Sequence, residues 1–240
     1  MKRPLMIVTL LSLFLTNILV AQANDQKITS TKETRLEQET TIADPLESVN
    51  RVIFRFNHGL DEVLIRPIII GYQKAVPVYG QDRIRHFIRN LLTPLTLLHS
   101  LLQGDIHNAF TSFWRFVLNT TFGLGGLYDF ATEQGLVMHN EDMGQTLAHY
   151  NIGHGIYIVL PLIGPSSLRD GVGRISDSFT NPLRFAIGED EYLAASLSHA
   201  FQLRSDSESF IQRIQQSSLD SYATFRSLYV QHRNNVVKNR

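Results

Sequence analysis

The chain has 240 residues, 22 basic and 22 acidic side chains, and no cysteine. Disulfides, cysteine-ligated zinc, thiol catalysis and lipidation on cysteine are thereby excluded, and the balanced charge gives no reason to expect nucleic acid as a partner. Apolar residues make up 43% of the chain, ordinary for a globular protein, and once a leader is set aside the length fits one domain.

Lys2 and Arg3 form a positive start, residues 5–20 an apolar run, and Ala21-Gln22-Ala23 a small-residue cleavage site. These are the three parts of a secretory signal peptide over residues 1–23, so export is implied. Residues 24–43 are polar with no apolar period and read as a flexible leader. Asp44-Pro45-Leu46-Glu47 then sets a capping aspartate before proline at the first helical position, with Glu47 in capping-box register. Leu46, Val49, Ile53, Phe56, Leu60 and Val63 recur at the period of one helix face, which Arg66-Pro67 ends or bends. Such a stripe needs a packing partner or a lipid surface to offset the entropy of ordering the helix.

Residues 81–92 repeat the pattern through Ile84, Phe87, Ile88 and Leu91, with Arg83, Arg85 and Arg89 among them. Thr93-Pro94 predicts a break and a new short helix through Leu95, Leu98, Leu101 and Leu102, closed near Gly104. Asp105 can cap the next helix, in which Ile106, Ala109, Phe110, Phe113, Trp114, Phe116 and Val117 leave little polar circumference. Aromatics at this spacing are expected in a core, with a lipid-facing surface as the alternative. Residues 51–115 hold eight Lys/Arg against four Asp/Glu, which reads as a solvated face or, more sharply, as contact with anionic lipid headgroups.

The centre of the chain, residues 119–173, gathers most of the glycines among apolar side chains and carries little net charge. Its longest apolar run, residues 156–163, contains Pro161 and falls well short of the roughly 20 residues of a membrane-spanning helix. Glycine-rich apolar chain of this kind packs inside a protein or lines a passage. Residues 156–160 carry the one strand signal. Beyond it, Ser166 or Ser167 can cap a short helix, and Asn181-Pro182 breaks the chain again. Residues 189–203 form a helix through Leu193, Leu197, Ala200 and Phe201, with acids suiting its first turn. Residues 206–216 form a polar helix, and residues 219–230 another through Leu219, Tyr222, Phe225 and Tyr229, with residues 234–240 as a basic tail. The expectation is an all-α domain of many short amphipathic helices over residues 44–233.

Catalytic patterns are missing. His149 and His154 stand five apart across a glycine and no H-E-x-x-H occurs, so no metal site is expected. Gly164-Pro165-Ser166-Ser167-Leu168 lacks the second glycine of a nucleophile elbow. Gly123-Leu124-Gly125-Gly126 is followed by no G-K-[ST] and is no phosphate loop. Glu141-Asp142 reads as a helix start rather than an acid/base pair. No enzyme is expected, and no cofactor.

Seven ordered blocks carry a resemblance: DPLESVNRVIFRFNHGLD (44–61), RP (66–67), LLQGD (101–105), RFVLNTTFGLGGLYDFA (115–131), EDMGQTLAHYNIGHG (141–155), LPLIGPSSLRDGVG (160–173) and DSYATFRSLYVQHR (220–233). Over residues 44–233 the chain resembles the MlaA/VacJ family of Gram-negative outer-membrane proteins. The resemblance implies a ring-like helical protein lying in the inner leaflet of the outer membrane around an amphipathic passage. Members remove phospholipid misplaced in the outer leaflet, pass it to a soluble periplasmic carrier of the MlaC kind and associate with trimeric porins, hydrolysing nothing. By residue match, Phe122, Gly123, Leu124, Gly125, Gly126 and Leu127 are candidates for chain at the passage, with Phe122, Leu124 and Leu127 toward lipid tails. An ordinary buried turn is the alternative. Asn50, Arg51 and Asn57 are candidates for meeting headgroups or for orienting neighbouring helices. Asp44, Pro45, Pro161, Gly164 and Pro165 match as structural residues, and Arg169-Asp170 as a structural ion pair. Two departures stand out. The family's lipid-bearing cysteine is missing, so membrane residence would rest on buried Phe and Leu side chains, with a soluble periplasmic lipid carrier or adaptor as the alternative. Ile156 also replaces a usual proline.

Overall fold

The computed structural model describes residues 42–238. The signal peptide expected over residues 1–23 lies outside the described residues, as do the leader up to residue 41 and residues 239–240. Ile42 and Ala43 already belong to the fold: Ile42 packs on a core of Tyr157, Val159 and Tyr222, and the Ala43 carbonyl accepts from Tyr157 N–H at 2.8 Å.

Helix α1 (Glu47–Leu60) runs through one wide π-helical turn (Asp61–Ile65) into α2 (Arg66–Ala75). That turn absorbs the disruption expected at Arg66-Pro67. Proline offers no N–H and crowds the carbonyl four residues back, and in the wider turn the Arg66 N–H reaches the Asp61 carbonyl instead. The capping box does not form. Helix α1 starts behind Leu46 without a side-chain cap, because Asp44 has stronger partners. It accepts from Asn50 Nδ2 at 2.8 Å, from Arg226 Nη1 at 2.9 Å and from the Tyr222 hydroxyl, and a guanidinium outweighs neutral backbone amides.

The break expected at Thr93-Pro94 is absent as well. Helix α3 is continuous over Val78–Leu102 with Pro94 inside it. The Thr93 hydroxyl donates to the Arg89 carbonyl at 2.9 Å beside the interrupted ladder, and packing along α4 (Ile106–Thr121) holds the two halves in line. Asp105 caps α4, accepting from Asn108 N–H at 2.9 Å. A short α5 (Phe130–Glu133) and α6 (Met143–His149) follow. The one strand signal becomes β1 (Tyr157–Leu160), paired antiparallel with β2 (Gly164–Ser167) in the register Tyr157 to Ser167 and Leu160 to Gly164. Ser167 caps α7 (Leu168–Thr180), and Asn181 caps α8 (Pro182–Ile187). Helices α9 (Glu189–Asp206), α10 (Glu208–Ser217) and α11 (Ser221–Lys238) complete the chain. Among the described residues, no helix is long and apolar enough to cross a membrane.

The exposed edge of β1 is held by α1 rather than by a third strand. Asn50 Nδ2 donates to the Tyr157 carbonyl at 3.1 Å while its Oδ1 accepts from Val159 N–H at 2.9 Å. Two turns further along, Asn57 repeats the grip, donating to the Leu160 carbonyl at 2.9 Å and accepting from Leu162 N–H at 2.8 Å. Each amide copies the donor–acceptor pair of a neighbouring strand. Asn50→Ala is expected to cost about 2–3 kcal/mol, since it leaves a buried N–H and carbonyl unpaired. Urea unfolding checks it, and a loss under 0.5 kcal/mol (about the noise of a surface substitution) would refute the clamp.

Burial in this molecule runs the opposite way to a water-soluble core. Among the described residues, ten hydrophobic side chains are buried against twenty-three polar or charged ones. Helix α4 shows why. Asn108, Ser112, Arg115 and Asn119, spaced by four, three and four residues, turn inward, while Ile106, Phe110, Phe113 and Trp114 face out. The aromatics expected in a core are therefore on the surface. Helix α7 repeats the pattern, with Arg169, Asp170, Gly171 and Gly173 inside and Leu168, Val172, Ile175 and Phe179 outside. Helix α1 divides its apolar side chains, exposing Val49, Val52 and Phe56 while Ile53 and Phe54 pack on the core.

Candidate functional site

The glycine-rich turn after α4 is shaped by the polar face of that helix. Arg115, 5% exposed, meets Asp129 through two hydrogen bonds of 2.8 Å each, and also donates to Thr132 Oγ1 at 2.9 Å and to the Leu136 carbonyl. Asn119 donates to Asp129 at 3.0 Å and accepts from Ala131 N–H at 2.8 Å. Burial works against the Asp129 carboxylate, but hydrogen bonds from Thr132, Arg115 and Asn119 bring its pKa down to about 2. The Arg115–Asp129 pair and its neighbours thus tie the chain from Asp129 to Leu136 back onto α4.

Within that turn the six candidate residues divide into two sets. Gly123 and Gly126 are buried. A Cβ on Gly123 would collide with the carbonyl oxygens of Tyr128 and Asn119, and one on Gly126 would lie 2.6 Å from Asn90 Cβ. Gly125 has open space around it but a φ of +75°. Phe122, Leu124 and Leu127 project outward, the first two being 68% and 66% exposed. Leu124 takes a φ of 53°, a left-handed conformation unfavourable for a side chain of this size. The turn between β1 and β2 has the same construction: Leu162, at a φ of 67° after Pro161, is exposed beside Ile163, and Gly164 at +91° leads into Pro165 of β2.

The other matched residues lie in structural networks. Arg51 bonds Glu47 at 2.8 Å and Asp220 at 2.7 Å, and its guanidinium carbon sits 4.4 Å from the centre of the Tyr222 ring. Pro45 is exposed just ahead of α1. Arg169 and Asp170 form a buried pair at 2.9 Å, and Arg233 of α11 joins Asp170 at 2.6 Å to Asp142 at 2.7 Å. Burial opposes charge on Asp170, yet the Arg233 charge, the Tyr229 hydroxyl and Arg169 hold it below the usual carboxylate range. Helices α6 and α7 touch through glycine: a Cβ on Gly173 would lie 2.6 Å from Gly144 N. Asp142 caps α6, accepting from Gln145 N–H at 2.8 Å, so the adjacent acids do open a helix.

Two features were not singled out from the sequence. His99, fully buried, bridges Thr146 at 3.0 Å and Asp177 at 2.7 Å, next to Gln103, which donates to Glu141 at 3.0 Å and to Thr146 at 2.9 Å. The other is a cleft of about 440 Å³ between α2, α3 and α9. Ile84, Ile88, Leu197 and Phe201 give it apolar walls, and Gln202 donates to the Tyr72 hydroxyl at 2.8 Å at its polar end. The signal for the buried polar networks was the spacing of Asn108, Ser112, Arg115 and Asn119, which is as periodic as the aromatic face opposite.

A mostly helical chain whose buried side chains are largely hydrogen-bonding, and whose helices α4 and α7 turn apolar faces outward, is an amphipathic protein suited to apolar surroundings. The model of the MlaA lipoprotein family matches residues 42–236, and the chain belongs to that family. It is 38% identical to an uncharacterized protein of Rickettsia bellii over 82% of this chain and 78% of that one. It is 30% identical to the intermembrane phospholipid transport system lipoprotein MlaA of Haemophilus influenzae over 79% of this chain and 77% of the relative. The Escherichia coli lipoprotein of that name is 36% identical over 57% of this chain and 56% of its own length. A solved structure concerned with the maintenance of bacterial outer membrane lipid asymmetry superposes with a TM-score of 0.73 at 30% identity, over 82% of this chain and all of that one.

Proposed function

We propose that this protein works in phospholipid transport at the outer membrane, removing phospholipid misplaced in the outer leaflet and passing it to a soluble periplasmic carrier, so that lipid asymmetry is kept. The observation that carries this reading is the inverted burial: apolar faces of α4 and α7 look outward while asparagines, a histidine and ion pairs fill the interior. In water that exterior would be a large aggregation surface. In a monolayer it is the binding energy, at about 25 cal/mol per Å² removed from water. Its helices lie in the interface, short of a span. A phospholipid leaving a leaflet must keep its headgroup wet and its tails dry. The cleft between α2, α3 and α9 and the apolar tip at Phe122, Leu124 and Leu127 offer both surfaces.

On this reading the protein hydrolyses nothing, sits on the periplasmic side of the outer membrane held by its own apolar faces, and works beside a trimeric porin and a periplasmic lipid carrier. The sequence holds no cysteine to carry a lipid, which favours one rival, a soluble periplasmic carrier. Fractionation of cells decides between them. Recovery with the outer membrane, together with co-purifying phospholipid, is expected; release by osmotic shock would establish the rival. In an Escherichia coli strain lacking its own MlaA, expression is expected to clear phospholipid from the outer leaflet, measured by labelling of surface-exposed phosphatidylethanolamine. Purified protein incubated with phospholipid is expected to release no fatty acid or lysophospholipid.

A further inference from the structure

Where the start of α3 meets the end of the glycine turn, Tyr79 and Tyr128 place their hydroxyls 2.7 Å apart. Arg83 lies over both rings, its guanidinium carbon 4.8 Å from the Tyr79 centroid and 4.5 Å from that of Tyr128. Its neighbour Arg85 is neutralised by Asp82 at 2.5 Å and Asp206 at 2.7 Å. Among the described residues Arg83 pairs with no carboxylate, and its Nε is buried without a hydrogen-bond partner. Stacking uses the faces of a guanidinium and leaves its in-plane N–H donors unspent. A guanidinium stacked on two rings, with no hydrogen bond to its Nη donors among the described residues, is preorganised for the paired oxygens of a phosphate. Apolar side chains flank it on both strands of the junction: Val78, 73% exposed, precedes Tyr79, and Leu127 precedes Tyr128 behind the exposed Phe122 and Leu124.

We infer that Arg83, held between Tyr79 and Tyr128, is a phosphate-binding site that receives the phosphodiester of a lipid headgroup while the adjoining turn tip meets its acyl chains. This rests on the lipid-transport reading and names the headgroup contact within it. A merely structural Arg83 would tie the turn to α3 and bind no anion.

Titration calorimetry of the purified full chain in a phosphate-free neutral detergent tests it with three probes: dihexanoylphosphatidylglycerol, dihexanoylglycerol and inorganic phosphate. The expected result is that the phosphorylated lipid binds about tenfold more tightly than the diacylglycerol, the worth of one or two charge-assisted hydrogen bonds. Arg83→Gln is expected to erase that difference without changing the diacylglycerol affinity, and Arg83→Lys, which keeps charge but not the stacked fork, to recover part of it. Unchanged far-ultraviolet circular dichroism establishes that the variants fold. Full affinity for the phosphorylated lipid in Arg83→Gln overturns the inference and leaves the transport reading standing. Failure of the wild type to bind either lipid overturns both. Inorganic phosphate bound as tightly as the phosphorylated lipid, and lost in Arg83→Gln, overturns the headgroup as the source.

Discussion

Replacing Arg115 with methionine is expected to lower stability by about 1.5–3 kcal/mol, because it removes the charged partner of the partly buried Asp129 carboxylate. For a domain of this size the melting temperature should fall by roughly 3–12 °C. The pH dependence makes the cause identifiable. In the wild type the Asp129 pKa is lowered from 3.8 to about 2. A lowered pKa means that the associated stability is complete above the unfolded value and is lost as pH falls through the folded one. The wild type is therefore expected to lose roughly 2 kcal/mol between about pH 4 and pH 2 from this group alone. In Arg115→Met the counter-charge is gone while burial and the Thr132 and Asn119 hydrogen bonds remain, so that loss should shrink. Urea unfolding at pH 7, 4 and 2.5 measures both effects. Parallel acid slopes in the two proteins would show that the ion pair does not set the Asp129 charge.

Gly123→Val is expected to be the most disruptive change in the turn, and Gly125→Ala, two residues away, a mild one. At Gly123 any Cβ meets two backbone carbonyls, which cannot swing aside as a side chain could, and overpacking of this sort costs about 1–3 kcal/mol or more. The Tyr128 N–H bond to the Gly123 carbonyl at 2.9 Å and that of Gly123 to Leu118 at 3.1 Å would be lost with it. At Gly125 space is open and only the φ of +75° objects, a penalty of about 1–2 kcal/mol. Hydrogen exchange of residues 118–131 reads the difference: rapid exchange throughout the segment in Gly123→Val, local change in Gly125→Ala. Equal protection in both variants would refute the packing account.

Helices were legible in the sequence because their apolar stripes are long, and Asp105, the Glu141-Asp142 pair and the serines at 166 and 167 announced three starts. What periodicity does not carry is direction. The run Phe110, Phe113, Trp114 is equally regular whether it faces a core or the exterior, and expecting a core there was the natural error. Only the polar set opposite it settles the matter, since Arg115 and Asn119 find partners in Asp129 and Ala131, residues far enough along that no local rule links them. Proline misled for a different reason. Pro67 and Pro94 each forbid one hydrogen bond, a local cost that a π turn in the first case and packing along α4 in the second outweigh. Asp44 was misplaced as a cap because Tyr222 and Arg226, almost the whole chain away, compete for the same oxygens. Asn50 and Asn57 were noticed through family likeness; their seven-residue spacing makes sense only once a strand lies alongside to be gripped at two points.

Leu124 and Leu162 hold backbone angles that glycine would adopt without strain. At either position glycine would relieve about 1 kcal/mol or more, so these side chains are kept at the expense of thermal resistance. Selection of this protein for heat tolerance alone should therefore drift toward blunted tips, yielding sturdier molecules with less apolar surface at these two turns.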